Sequence, residues 1–454
     1  MFSTADTIVA IATPPGRGGL GVVRLSGNDA FRITQNLVGR PSPFQPRRAT
    51  FCRVSASRHS EVRDEVVVTT FPAPRSYTGE DVAEISAHGS PIVLAGILKG
   101  ATAAGARLAE PGEFTLRGFL HGKRDLIQAE AVGDLIDAVT PLQARAAFDQ
   151  LEGTLTTAIA AIEQDLFDLV ARLEASLDFP DEGYHFIEPA ELQAALDAVV
   201  NRLDALLANA ARGRVVREGA VVALVGAPNA GKSSLFNLLL NTNRAIVNAA
   251  PGTTRDLLTE RVDIAGLCIE LVDTAGLRDT EDEVEREGVL RTEGSLSVAD
   301  LAVVVIDRSR SLSADDRRAL SSTRDQPRLV VANKIDLPAA WPNQAAGVDV
   351  VPISVRSGAG VEALIAQLSE TLSQAPVMRD VPLVTNVRHV LLLEQARASL
   401  VRGRLAVAEA GGALPEEFLL ADVQEGLERL QEVTGRRTSD DLLRHIFERF
   451  CIGK

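Results

Sequence analysis

The chain has 454 residues, of which 46% are hydrophobic, and its 47 Lys and Arg against 61 Asp and Glu give a formal net charge of −14. That length exceeds what one hydrophobic core serves, so two or three domains are expected, and the acidic balance argues against gripping nucleic acid by bulk charge, leaving only local basic surface for that purpose. Three widely spaced cysteines, Cys52, Cys268 and Cys451, with no C-x-x-C pair, suggest neither a disulfide framework nor a cysteine zinc site, and fit a reducing cytoplasmic setting.

Residues 1 to about 120 combine Gly and Pro with short β-type runs, Leu20-Gly-Val-Val-Arg-Leu25 and Glu65-Val-Val-Val-Thr-Thr-Phe71, and one helix is predicted near 91 to 104; this reads as an α+β domain. From 121 to 215 apolar residues recur at three and four, as in Ile159-Ala-Ala-Ile-Glu-Gln-Asp-Leu-Phe-Asp-Leu-Val170, which predicts helices, with a Pro-Asp-Glu-Gly break at 180 to 183. From 216 to 377 apolar strands alternate with helices, through Val221-Val-Ala-Leu-Val225, Leu267-Cys-Ile-Glu-Leu-Val272, Leu301-Ala-Val-Val-Val-Ile306 and Leu329-Val-Val-Ala332, the pattern of a mostly parallel α/β sheet. Residues 378 to 454 are helical again. Neither helical stretch makes a full bundle alone, so the expected architecture is multidomain: an N-terminal α+β domain, and one α-helical domain with the α/β domain inserted in it. No stretch approaches the ~18 consecutive apolar residues of a membrane span and no basic segment precedes an apolar core at the start, so no membrane association is expected.

The inserted segment carries the chemistry. Gly226-Ala-Pro-Asn-Ala-Gly-Lys-Ser233 matches the phosphate-binding pattern G-x-x-x-x-G-K-[ST], between an apolar run and the helix-like Ser234-Leu-Phe-Asn-Leu-Leu-Leu240. Backbone N–H groups there face phosphate, and Lys232 neutralises it. Asp273-Thr-Ala-Gly276 follows a strand, where a carboxylate reaches a magnesium-bound water and the Gly276 N–H reaches the γ-phosphate. Asn333-Lys-Ile-Asp336 follows another; Asp336 accepts from N1–H and the 2-amino group of guanine, a donor pair that adenine lacks. Ser354-Val-Arg356 closes over the base with backbone N–H groups, and Thr254 of Gly252-Thr-Thr-Arg-Asp256 holds Mg2+ together with Ser233. Many small GTPases place glutamine after Asp-x-x-Gly to orient the attacking water, whereas this chain has Leu277. Carboxylates in Asp279-Thr-Glu-Asp-Glu-Val-Glu-Arg286 either take that role or form a solvated acidic loop and helix start.

Together, Asn229, Gly252-Thr-Thr-Arg-Asp256, Asp273-Thr-Ala-Gly-Leu-Arg278 and Glu283-Val-Glu-Arg286 resemble the MnmE (TrmE) family of tRNA-modification GTPases. The resemblance extends over essentially the whole chain, through Ala12-Thr-Pro-Pro-Gly-Arg-Gly-Gly19, Tyr77-Thr-Gly-Glu-Asp81, Pro111-Gly-Glu-Phe-Thr-Leu-Arg117, Gly122-Lys-Arg-Asp-Leu-Ile-Gln-Ala-Glu130 and the terminal Phe450-Cys-Ile-Gly-Lys454. It implies that Glu285 is the catalytic carboxylate, acting on water indirectly. It also implies a K+ held by Asn229 and by backbone carbonyls of Asn248, Ala250 and Thr253, in place of an arginine finger, as the α/β domains of a homodimer meet. The nucleotide contacts it implies are Asn229, Ala230, Gly231, Lys232, Ser233, Ser234, the loop Asn248, Ala249, Ala250, Pro251, Gly252, Thr253 and Thr254, then Asp273, Thr274, Ala275, Gly276, Asn333, Lys334, Ile335, Asp336, Ser354, Val355 and Arg356.

For the N-terminal domain the resemblance implies folate binding and dimerisation, with Arg24, Glu84, Lys123 and Lys454 around 5,10-methylenetetrahydrofolate or 5-formyltetrahydrofolate. Cys451 is either an inert apolar side chain or, beside Arg449 and Lys454, a reactive thiolate in one-carbon transfer. Two positions depart from the pattern: Asn248-Ala-Ala-Pro251 where relatives often carry Thr or Ser followed by Asp, and Ser90 where relatives usually have Gly. The implied function is a cytoplasmic GTPase that, in a heterotetramer with an FAD-dependent MnmG (GidA) partner, modifies carbon 5 of the wobble uridine of certain tRNAs. The alternative is a ribosome-assembly GTPase switch of the Era or EngA type, although no KH-like G-x-x-G setting and no second set of nucleotide motifs occurs.

Overall fold

The computed structural model describes residues 5–55, 63–178, 188–242, 244–245, 258–273, 298–341, 349–373, 381–409 and 416–454. The chain splits into two compact units, the first made of Met1–Gly133, Gln150–Glu163 and Leu427–Lys454, the second of Asp134–Asp149 and Gln164–Gly426.

The first unit is built on six strands, β1 (Ile8–Ile11), β2 (Gly18–Ser26), β3 (Thr50–Ser55), β4 (Arg63–Phe71), β5 (Val82–Gly89) and β6 (Arg107–Leu108), in the order β3-β4-β5-β2-β1-β6. Alternation drives the faces apart: Val66, Val68 and Thr70 of β4 are buried while Glu65 and Val67 are exposed. The apolar face, with Val23, Leu25, Ile85 and Val68, packs under helices Ala30–Leu37 and Pro91–Ala103. The opposite face carries Arg24 and Glu84, placed side by side by the antiparallel register of β2 and β5. Besides the expected helix at 91–103, two eight-residue helices occur, Ala30–Leu37 and Glu113–Leu120. Both are about two turns long, too short for the three- and four-residue spacing to repeat, and the second buries even Glu113 and Arg117. Ser90, the departure from the resemblance, has an ordinary extended backbone (φ −90°, ψ 124°) at the start of its helix. The close approach belongs to Gly89 instead, where a Cβ would come 2.5 Å from the Gly18 carbonyl.

The second unit has a seven-stranded sheet in the order β13-β12-β11-β7-β10-β9-β8. Its strands are β7 (Ala220–Val225), β8 (Arg244–Ala245), β9 (Leu258–Ile264), β10 (Leu267–Asp273), β11 (Leu301–Asp307), β12 (Arg328–Asn333) and β13 (Val350–Pro352). The run from β13 through β12, β11 and β7 to β10 is parallel and β9 and β8 are antiparallel, with every residue of β11 buried as a strand covered on both faces requires. Because β10 and β11 flank β7 on opposite sides, the carboxyl end of β7 is a topological switch point, where open α/β sheets bind ligands.

Helices from before and after this sheet pack on each other: Pro189–Ala208 lies along Val387–Glu409, joined by the Arg397–Asp204 ion pair and by Arg404–Asp197 at 3.3 Å. The α/β part is therefore inserted in the helical one, as expected. Its entry and exit run together, since a Cβ on Gly213 of helix Ala210–Glu218 would stand 1.9 Å from the Val384 carbonyl. Among the described residues no helix is long and apolar enough to cross a membrane.

Candidate functional site

At the end of β7 the chain turns through residues 226–231 into helix Lys232–Thr242, with left-handed backbone at Asn229 (φ 61°) and Gly231 (φ 105°). The turn is close-packed. A Cβ at Gly226 would lie 2.2 Å from the Val305 carbonyl, and one at Gly231 would lie 2.2 Å from Asn333 Nδ2. Lys232 Nζ donates to the carbonyls of Gly226 (2.8 Å) and Ala227 (3.0 Å), placing a buried ammonium inside the loop. Burial lowers its pKa, and Asp273 and Asp316 act against that shift. Since the first N–H groups of a helix have no intrahelical partner, a buried cation beside them makes a site for a phosphate chain.

The guanine motif braces this loop. Asn333 Nδ2 donates to the Ala230 carbonyl (2.9 Å), while its Oδ1 accepts from the N–H groups of Lys334 (2.8 Å) and Val355 (3.2 Å). Lys334 Nζ reaches the Asn229 carbonyl at 3.1 Å, and Ile335 N–H donates to the Ile353 carbonyl at 3.2 Å. Ser354 Oγ donates to Asp336 Oδ1 (2.7 Å), orienting an exposed carboxylate at the mouth of the site, with Arg356 exposed nearby in sequence. Ser233 and Ser234 are exposed on the first helical turn, and Asp273 is 3% exposed at the end of β10.

The structure thus brings together Asn229, Ala230, Gly231, Lys232, Asn333, Lys334, Ile335, Asp336, Ser354 and Val355. Asn248, Ala249, Ala250, Pro251, Gly252, Thr253, Thr254, Thr274, Ala275, Gly276 and Glu285 lie outside the described residues. The ligand sets expected for Mg2+ and K+ are therefore in view only through Ser233 and Asn229, whose exposed oxygens suit hard cations. Sequence reasoning missed Asp307 and Arg310. Asp307, an acid closing the otherwise apolar run Leu301–Ile306, was the available signal.

A second cluster lies in the first unit. Arg24 donates through Nε to Glu84 Oε1 (2.9 Å) and through a terminal nitrogen to the Gly453 carbonyl (3.3 Å), and its guanidinium stands over the rings of Tyr77 (5.2 Å) and Phe114 (5.7 Å). The C-terminus is brought here by the Pro111–Ile452 bridge and by the Phe114 N–H donating to the Lys454 carbonyl at 3.2 Å. Burial and the Arg24 charge lower the Lys454 pKa, against an opposing pull from Glu84 and Cys451. Cationic, anionic and aromatic groups on one sheet face suit a flat, hydrogen-bonding heterocycle with an acidic tail. Lys123 follows helix Glu113–Leu120, its N–H donating to the Gly118 carbonyl (2.8 Å) and its side chain lying beside Gly79. Cys451 is a free, exposed thiol.

A tRNA modification GTPase MnmE from Koribacter versatilis (strain Ellin345) is 42% identical to this chain over 453 residues, 99% of each. The chain belongs to the MnmE (TrmE) family. A second MnmE, from Chloroflexus aurantiacus (strain ATCC 29366 / DSM 635 / J-10-fl), is 43% identical over 457 residues, covering 99% of this chain and all of the relative. The family model of the GTP-binding protein TrmE N-terminus matches residues 7–123, and that of the MnmE helical domain matches residues 126–451. The MnmE helical match spans the α/β sheet as well as the helices on both sides of it, as the inserted architecture requires.

Proposed function

We propose that this chain is a cytoplasmic, potassium-dependent GTPase of wobble-uridine modification. As a homodimer assembled with the MnmG (GidA) partner, it would install a carboxymethylaminomethyl or aminomethyl group at carbon 5 in certain tRNAs. The observation that carries this reading is end-to-end identity of about two residues in five to tRNA modification GTPases, which leaves the Era or EngA alternative without support. We further propose the division 1–120 for folate binding and dimerisation, 121–215 and 378–454 for the helical domain, and 216–377 for the GTPase domain.

In this reading Lys232 and the N–H groups opening its helix bind the phosphates, Asn333 holds the loop, and Asp336 selects guanine through the donor pair that adenine lacks. Ser233 with Thr254 would hold Mg2+. Asn229, with the carbonyls of Asn248, Ala250 and Thr253, would hold K+. When bound, the two cations supply positive charge against the phosphate oxygens as the leaving oxygen gains negative charge. Glu285 orients the attacking water indirectly, the task that Leu277 has no polar group to perform. Arg24, Glu84, Lys123 and Lys454 would hold the folate that supplies the one-carbon unit, and Cys451 is the candidate nucleophile near it. GTP hydrolysis reorganises the dimer and does no chemistry on the base.

Mass spectrometry of tRNA nucleosides from cells lacking this protein tests the reading: wobble uridines should lose the carbon-5 group, and an unchanged nucleoside profile would sink it. Replacing potassium by sodium should slow GTP hydrolysis by about a hundred-fold or more, the scale of losing one charge-stabilising group in the transition state. Glu285→Ala should keep GDP affinity and lose hydrolysis by about a hundred-fold or more; wild-type turnover in that variant would move the role to another carboxylate of 279–286.

A further inference from the structure

Asp307 ends β11 beside the phosphate loop and is 4% exposed. One of its carboxylate oxygens accepts from Ser309 N–H (2.9 Å) and Oγ (2.6 Å), and the other accepts from Lys334 Nζ (2.7 Å), with Arg310 Nε 3.7 Å away. Its main-chain carbonyl accepts from Trp341 Nε1 at 3.4 Å. Each of the two cations also reaches the loop: Lys334 Nζ donates to the Asn229 carbonyl (3.1 Å) and a terminal nitrogen of Arg310 to the Pro228 carbonyl (3.3 Å). Successive carbonyls are therefore held by two donors that share one buried carboxylate.

The residue held this way is Asn229, whose backbone is left-handed (φ 61°), a conformation that asparagine adopts more readily than other side-chain-bearing residues and that these two donors hold in place. Its side chain is exposed, so where its amide points depends on the backbone that Lys334 and Arg310 hold. Burial raises the Asp307 pKa, but hydrogen bonds from Lys334 and Ser309 outweigh it and keep the carboxyl below the usual range, so the acid is ionised at neutral pH.

We propose that Asp307 is a positioning residue which, through Lys334 and Arg310, holds Pro228 and Asn229 in the conformation from which the Asn229 side chain meets its monovalent cation. It sets cation affinity and leaves the chemical step alone. This rests on the potassium reading above.

The test uses the full-length protein and two variants, Asp307→Asn and the more exposed Arg310→Gln. Four quantities are read: the half-activating potassium concentration, kcat at saturating potassium, affinity for a fluorescent GDP in potassium-free sodium buffer, and thermal unfolding. Asp307→Asn should raise half-activating potassium about ten-fold and weaken GDP about five-fold, the scale of losing one charge-assisted hydrogen bond, with kcat at saturating potassium within about two-fold. Arg310→Gln should move both affinities the same way by about three-fold without lowering the unfolding temperature, so it decides the matter if Asp307→Asn fails to fold. Unchanged potassium and GDP affinities in the folded variants would overturn the proposal, as would a fall in kcat at saturating potassium with no shift in half-activation. If wild-type hydrolysis is indifferent to potassium, the potassium reading itself falls and the cation role with it; the potassium-free GDP titration tells that case apart, because it reports on the loop alone.

Discussion

Gly231→Ala is expected to weaken nucleotide binding about a hundred-fold or more while the protein stays folded. The residue sits at φ 105°, a conformation that costs a side-chain-bearing residue about 1–3 kcal/mol. The added methyl would also lie 2.2 Å from Asn333 Nδ2, so one of them must move. Asn333 cannot move alone, because its amide holds the Ala230 carbonyl on one side and the N–H groups of Lys334 and Val355 on the other. Its displacement therefore disturbs the phosphate loop and the guanine-binding segment at once. The free loop relaxes away from this strain, so re-forming the cradle around the nucleotide costs it again together with one or two lost hydrogen bonds at about 1 kcal/mol each, a loss of GDP affinity of about a hundred-fold or more. The strands beneath, fully buried in β11, are untouched, so the unfolding temperature should fall by only a few degrees. Titration with fluorescent GDP beside a thermal melt checks both halves. A variant that binds GDP within about three-fold of wild type would show that the loop tolerates the methyl and that Asn333 is not its brace.

Arg117→Met should destabilise the first unit by about 3–5 kcal/mol, the cost of removing one member of a buried charge cluster. Arg117 is 1% exposed and binds Asp6 (2.6 Å), Glu113 (3.0 Å) and Glu80 (3.1 Å), while Arg107 pairs with Glu113 (2.5 Å) and Asp6 (2.6 Å). Methionine approximates the length but leaves Glu80 and Glu113 buried with less counter-charge. The pH dependence has a definite sign. Burial raises the pKa values of Asp6 and Glu113, and hydrogen bonds from Arg107 and Arg117 more than reverse this, so both are lowered in the fold. Their contribution is present above the ordinary carboxylate range and is lost as pH falls through the lowered folded values. The deficit of Arg117→Met should accordingly be largest near neutral pH and shrink in acid. Urea unfolding of both proteins near neutral pH and at about pH 3 measures this; a deficit that is the same at both pH values would mean that Arg117 acts through packing and not through charge.

The candidate nucleotide site is legible in the sequence because its parts are short and local. Gly226 to Ser233 and Asn333 to Asp336 each adopt their geometry within a few residues of a strand end, and the apolar runs that place those ends carry their own periodicity. Asp307 was harder to read. It belongs to no motif, and its partners Lys334, Ser309 and Arg310 come from two separate strand ends that only the parallel pairing of β11 with β12 sets side by side. Arg117 stands within a family motif, but its burial is not legible there, since a charged residue on a short helix gives no sign of its own burial.

The sequence by itself determined the ligand class, the family, and the order of an α+β domain followed by a helical domain with an α/β insertion, because phosphate-binding turns and strand or helix periods are encoded over a few to a few tens of residues. Only the tertiary structure decided that Arg24 meets Glu84 and the C-terminal Gly453. Arg24 and Glu84 are 60 positions apart and Arg24 and Gly453 are 429 apart. A strand repeats every two residues, so a slip of one in the β2–β5 register would turn Arg24 and Glu84 to opposite faces; that register and the bridge at Ile452 are chosen by burial of the whole sheet face, which no local pattern encodes.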